Sequence, residues 1–261
     1  MESVYRIEAD RIVVSPYAGG PWSPDMQHGG GPSSLFAHAA ATTPAPAPMR
    51  LARLTVDLMR PVPVADMQLE TTVLRAGRKI QLLGLSLKSG GVEVTRGTAL
   101  RVRIDDGGDR APASEALMDL PPPEDGKAPP AAFGRGVGFV SGMSFRVVRG
   151  ALREPGPASI WCRNDRTLIE GQQNLPSMRA AACSDFCNGF SSVLSFEDWT
   201  FINADVTVSL ARDPVGDWIM VDAEMTLGAD GGGLATARLG DRQGWFGRAV
   251  QSVLAEPRRR G

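Results

Sequence analysis

The chain carries one segment twice. Residues 55–62 read Thr-Val-Asp-Leu-Met-Arg-Pro-Val, and residues 207–215 read Thr-Val-Ser-Leu-Ala-Arg-Asp-Pro-Val. The two share Thr, Val, Leu and Arg in register, then Pro-Val after one inserted residue, Asp213. Each continues through an alternating stretch, a glycine-marked turn and a second alternating stretch, which passes Gly91 in the first copy and Gly244 in the second. Solenoid units recur every ~20–50 residues, so a repeat spanning about half the chain implies a duplicated domain. The 261 residues, 43% of them apolar, suffice for two cores of ordinary size. Duplication also constrains function, because a polar side chain present in one copy and missing from the other marks a candidate site.

Each copy has the same order of elements. The first opens with a strand-like run, Val4 to Val14, followed by a Gly/Pro-rich stretch from Gly19 to Pro32. Leu35, Phe36, Ala39 and Ala40 then fall at helical spacing behind Ser33, and Pro44, Pro46 and Pro48 end the helix. Leu51–Met59, Met67–Leu74, Ile80–Leu87 and Gly91–Val102 alternate apolar with polar residues, as half-buried antiparallel strands do. The second copy repeats this, with strands over Ser144–Val148 and Ala158–Asn164, then a helix over Ser184–Phe196. Phe186, Phe190, Val193 and Leu194 share one face of that helix, and four more strands lie between Phe201 and Leu254. Asp, Gly and Pro dominate between the copies. The expected division is residues 1–104, a linker over 105–132, and 133–257. The class is α+β, each half a long helix wrapped by a curved antiparallel sheet, the halves packed about a pseudo-two-fold axis.

Several function classes fall away. The net charge is −1 and no Lys/Arg stripe stands out, so nucleic acid is not an expected partner; Arg258–Arg260 read as a solvated tail. No apolar run approaches the ~20 residues of a membrane span. Met1–Arg6 shows no basic segment leading into an apolar run, and three cysteines make no disulfide framework, so a cytoplasmic location is expected. A serine hydrolase needs a Gly-x-Ser-x-Gly elbow and a distant histidine, yet both histidines, His28 and His38, lie in one early segment. Cys162, Cys183 and Cys187 lack histidine companions and Cys-x-x-Cys spacing, so they read as core residues and no metal is expected.

Gln27-His28-Gly29-Gly30-Gly31 before the first helix, Leu58-Met59-Arg60-Pro61 after it, Ser184-Asp185-Phe186 at the second helix and Ala249-Val250-Gln251 on the last strand form a familiar series. In it the chain resembles the double-hotdog acyl-CoA thioesterases of the thioesterase II type over nearly its whole length. The resemblance implies a tandem hotdog that hydrolyses acyl-CoA thioesters in lipid metabolism, with no cofactor beyond the CoA of its substrate. It also implies that two such chains can associate as a homodimer. Family members hold a nucleophilic water with Asp, Thr or Asn, and Gln in the second hotdog. Matched by position these fall on Asp185, Asn203 and Gln251, Asn standing where many members carry Thr.

The repeat comparison agrees. An offset of 152 places Asp185 over Ser33 and Asn203 over Leu51, and an offset of 153 past Asp213 places Gln251 over Thr98. A carboxylate can take a proton from water, an amide can fix that water by donating and accepting, and backbone N–H groups at a helix N-terminus can stabilise the oxyanion. His28, Gly29, Gly30 and Gly31, at the start of the first helix, are the candidates for that substrate-facing role. Arg60 and Arg212, at matched repeat positions, read as structural. Two other functions fit the fold. One is a non-catalytic acyl-CoA or acyl-carrier binding module. The other is a hotdog hydratase or dehydratase, which relies on a His–Asp arrangement in the active half, and the second copy contains no histidine.

Overall fold

A computed structural model describes residues 2–104, 117–130 and 133–258. The first copy forms β1 (Tyr5–Glu8), β2 (Arg11–Val14), α1 (Gly30–Thr42), β3 (Met49–Leu58), β4 (Met67–Arg75), β5 (Ile80–Ser89) and β6 (Val92–Arg103). The second forms β7 (Met143–Arg149), β8 (Ala158–Asn164), α2 (Pro176–Ser184), α3 (Cys187–Ser191), β9 (Trp199–Asn203), β10 (Asp205–Leu210), β11 (Trp218–Leu227), β12 (Gly232–Asp241) and β13 (Gly244–Pro257). The strands join in one antiparallel sheet ordered β1-β2-β4-β5-β6-β3-β10-β13-β12-β11-β8-β7, with β9 paired to β13. From its centre outwards each half has the same succession, β10 answering β3, β13 answering β6, and so on to β7 and β1.

The two-fold axis passes through the repeat itself. Thr55 of β3 lies directly opposite Thr207 of β10, Val56 opposite Val206 and Leu54 opposite Val208. The two threonine hydroxyls, 152 residues apart, are 3.2 Å from each other. Like residues facing each other across antiparallel strands are what an isologous contact produces. Register extends the correspondence: Thr98 faces Thr55 as Val250 faces Thr207, and Arg101 faces Leu51 as Val253 faces Asn203. The offset therefore returns to 152 after the Asp213 insertion. This corrects one expected match, since Gln251 lies over Ala99 and not over Thr98.

The helices differ between copies. α1 starts at Gly30, ahead of the expected Ser33, and residues 30–40 are buried on every side, the mark of a helix within a core. The helix expected over Ser184–Phe196 is split. α2 starts on Pro176, runs through Ala180–Ala182 and ends at Ser184; Asp185 is its C-cap, not a first-turn residue, and α3 covers only Cys187–Ser191. Val193 is exposed and Leu194 lies beyond the helix.

Other expectations resolve into specific contacts. Arg212 spends its guanidinium on Asp241, at 2.5 and 2.8 Å, and Asp241 also accepts from the N–H groups of Val215 and Gln243. Burial would raise the Asp241 carboxyl, but these donors hold it below the usual range. The three cysteines are free and buried. Arg258 is not a free tail residue: its Nε donates to Phe196 O at 2.8 Å, and its guanidinium lies over Trp22. Arg259, Arg260 and half of the expected linker, residues 105–116 and 131–132, lie outside the described residues. Within residues 117–130, Pro121 O accepts from Trp161 Nε1 at 2.8 Å.

Arg101 is the buried charge of the first copy, where the second has Val253. Its Nη1 donates to Ala40 O at 2.5 Å and Thr43 O at 2.8 Å, and its Nε to Gln81 Oε1 at 2.9 Å. It caps the C-terminus of α1, where a cation meets the carbonyls left without intrahelical partners. Hydrogen bonds to charged groups contribute ~1.5–3 kcal/mol, so Arg101→Ala is expected to cost about 3 kcal/mol, or roughly 6–12 °C in Tm. Thermal denaturation followed by circular dichroism checks this. An unchanged Tm would mean that the α1 carbonyls find other donors.

Candidate active site

The N-terminus of α1 meets the C-terminus of α2 where the two copies touch. The close approach explains the glycines. A methyl group on Gly29 would lie 2.7 and 2.9 Å from the two carboxylate oxygens of Asp185, and one on Gly30 would lie 2.8 Å from Ala182 O. Gly31 has a different reason. Its Cα sits against the hydroxyl of buried Tyr5, and its N–H is taken by His28 O. Of the glycines expected to face a ligand, Gly29 lies at the Asp185 carboxylate, Gly30 lies against Ala182 O and the His28 ring, and Gly31 lies against Tyr5.

Asp185 is the hub. Its Oδ1 accepts from Asn203 Nδ2 at 2.9 Å and from Gln251 Nε2 at 3.3 Å. Its Oδ2 lies 2.9 Å from Nδ1 of His28. The second half thus brings Asp185 from the break after α2, Asn203 from the end of β9 and Gln251 from the middle of β13 onto one carboxylate, and the first half adds His28. Gln251 is 0% exposed, on the core-facing alternation of β13. Its Oε1 accepts the N–H of Asn188 at 2.9 Å, which fixes the amide so that Nε2 points at Asp185. The side chain of Asn188 donates to Phe201 O at 3.3 Å.

His28 is held on every side. It is 8% exposed and Asp185 is 6% exposed. The imidazole stacks on Phe139, 4.9 Å between centroids at 15°, and lies 4.6 Å from Phe186 on a tilted approach. The preceding loop is tied by His28 N–H to Ala18 O, by Gln27 N–H to Val62 O, and by Tyr5 Oη donating to Gln27 Oε1 at 2.6 Å. Burial keeps the Tyr5 phenol protonated and therefore a donor, its pKa pushed up.

Asn188 and Phe139 were absent from the candidates, and so was the carboxylate partnership of His28. Asn188 leaves a trace in the sequence, as a polar residue amid the apolar face Phe186–Phe190. No local pattern ties His28 to Asp185, because the contact is made by the folding of one copy on the other. It also removes the ground on which the hydratase was set aside, since the second copy borrows a histidine from the first. Among the described residues no group of three or more His, Cys, Asp and Glu is placed to hold a metal ion, and no helix is long and apolar enough to cross a membrane.

A family model described as the acyl-CoA thioesterase N-terminal domain matches residues 18–102, and one described as the acyl-CoA thioesterase C-terminal domain matches residues 95–255. No curated protein sequence matches the chain. Solved structures are similar in fold at low identity. A hot-dog-fold protein of unknown function from Alicyclobacillus acidocaldarius superposes with a TM-score of 0.75 at 18% identity, over 97% of this chain and 95% of the other. A candidate thioesterase II from Thermobifida fusca gives 0.76 at 16%, over 98% and 96%. An acyl-CoA thioesterase II from Mycobacterium marinum gives 0.67 at 14%, over 97% and 95%. These likenesses show the tandem hotdog fold.

Proposed function

Since the chain belongs to the acyl-CoA thioesterase family, we propose that it hydrolyses acyl-CoA thioesters to carboxylic acid and coenzyme A with a water activated at Asp185. The observation that carries this reading is the convergence of Asn203, Gln251 and His28 on one nearly enclosed carboxylate, beside the first-turn amides of α1. A reacting carbonyl there would have a base below it and the positive end of α1 beside its developing oxyanion. Asn203 and Gln251 hold the carboxylate in place, and Asn203 also offers its amide to the water. The corresponding positions of the first copy carry Leu51 and Ala99, which offer neither, so one site per chain is expected.

The His28–Asp185 contact supports a second reading, addition of water across the double bond of an enoyl thioester, a reaction that needs an acid–base pair. One assay separates the two. Short, medium, long and aromatic acyl-CoAs, with a 2-enoyl-CoA among them, are followed for thiol release and for loss of enoyl absorbance. Thiol release is the expected outcome. Loss of enoyl absorbance without thiol release would replace hydrolysis by hydration. Binding without either change would leave an acyl-CoA binding module.

A further inference from the structure

Resting on the hydrolase reading, we propose that Asp185 activates the water through His28, whose Nε2 is the atom that takes the proton. The carboxylate is poorly placed to take it directly. Of its roughly four lone-pair sites, Asn203, Gln251 and His28 occupy three. The Cα of Gly29 presses on both oxygens, close enough that a methyl would meet them at 2.7 and 2.9 Å. Asp185 is an acceptor for three donors that hold it still.

The proton on His28 follows from the distances. Nδ1 is 2.9 Å from Asp185 Oδ2 and 3.1 Å from the N of Gly30. It cannot donate to the first and accept from the second at once. Charge-assisted hydrogen bonds are roughly twice as strong as neutral ones, so the proton sits on Nδ1 and is given to the carboxylate. Two consequences follow. Nε2 becomes the nitrogen with the free lone pair, in an imidazole that Phe139 and Phe186 keep from turning. The N–H of Gly30, which points at the same nitrogen, loses its acceptor. A carboxylate that fixes the tautomer of a base is the logic of a catalytic triad, here with water in place of the serine.

The step closes with water alone. Nε2 takes one proton as the water oxygen bonds to the thioester carbon, and the carbonyl π pair moves to oxygen at the positive end of α1. When the carbonyl re-forms, the C–S bond breaks with its electrons on sulfur, and the thiolate recovers the proton from Nε2–H. The products are the acid and the coenzyme A thiol.

The test compares wild type with His28→Ala on an acyl-CoA that the wild type turns over. The expected result is a fall in kcat of about 10²–10⁴-fold, with KM within about threefold and part of the rate restored by added imidazole. A kcat within about threefold of wild type overturns the proposal. So does a loss that imidazole leaves untouched in a variant with the wild-type melting curve, which would make His28 a positioning residue for Asp185. Nitrogen-15 NMR of the wild type, assigned by the same variant, gives a reading that needs no turnover. Nδ1–H with unprotonated Nε2 supports the dyad, and Nε2–H overturns it. If the wild type releases no thiol from any acyl-CoA, the hydrolase reading itself falls. A silent variant beside an active wild type bears on His28 alone.

Discussion

Asp185→Asn is expected to lower kcat for thioester hydrolysis by about 10³-fold or more while acyl-CoA binding stays within a few-fold of wild type. The replacement keeps the shape of the side chain. Its carbonyl can still accept from Asn203 and Gln251, which now lie 2.9 and 3.3 Å from Oδ1. The change falls at the Oδ2 position, where an NH₂ group would face Nδ1 of His28 at 2.9 Å. Two donors cannot share that gap, so the imidazole must move its proton to Nε2, and the site loses its negative charge and its free lone pair together. The comparable carboxylate-to-amide change in the serine protease triad costs ~10⁴ in kcat for the same reason. Thiol release gives the rate, and titration with a non-hydrolysable thioether analogue gives the affinity. Turnover within about tenfold of wild type would remove Asp185 from the chemistry.

Gly29→Ala should be nearly as damaging to activity and much less so to folding. The backbone at Gly29 has φ −60° and ψ −21°, which alanine adopts readily. The obstacle is the new methyl, 2.7 Å from Oδ1, 2.9 Å from Oδ2 and 3.0 Å from Cγ of Asp185. The carboxylate has to move, and with it the bonds from Asn203, Gln251 and His28. Displacements near 1 Å in a catalytic group cost about 10²-fold in rate, so a kcat reduction of that order is expected with a Tm within a few degrees of wild type. Full activity would show that α1 and α2 can separate at no cost, and that the close contact is incidental.

The duplication was legible because it is written in strand residues whose spacing survives folding. The Thr55 and Thr207 segments predict the duplication and its two-fold axis, which the structure places at the β3–β10 contact, and the glycine-marked turns predict the hairpins on either side. Gln251 was misplaced by one residue against the first copy, because the Asp213 insertion is compensated before β12, in a stretch without repeat identity. The split of the second helix was hidden for another reason. Phe186, the N-cap of α3, and Phe190 within it set the helical face just past the break, and the signal for α2, a proline followed by Arg179-Ala180-Ala181-Ala182, lies upstream of that face. Asp185, Asn203, Gln251 and His28 could be picked out individually, but Asn188 and the bonds among these side chains could not. Which nitrogen of His28 faces which oxygen of Asp185 depends on how two helix ends cross, and no periodicity within either copy encodes that.

The contacts around Asp185 also bear on how the protein is made. They run from Gly29 and His28, near the start of the described chain, to Gln251 on β13, near its end. A chain leaving the ribosome can pair β3 with β6 and bury α1 against them early, yet it then holds an imidazole with no carboxylate. Asp185 arrives next without the amide that orients it. The carboxylate gains its full set of donors only when β13 slots between β10 and β12. A chain cut short of that strand lacks Gln251, and with it the amide that orients Asp185 and the strand that completes the sheet between β10 and β12.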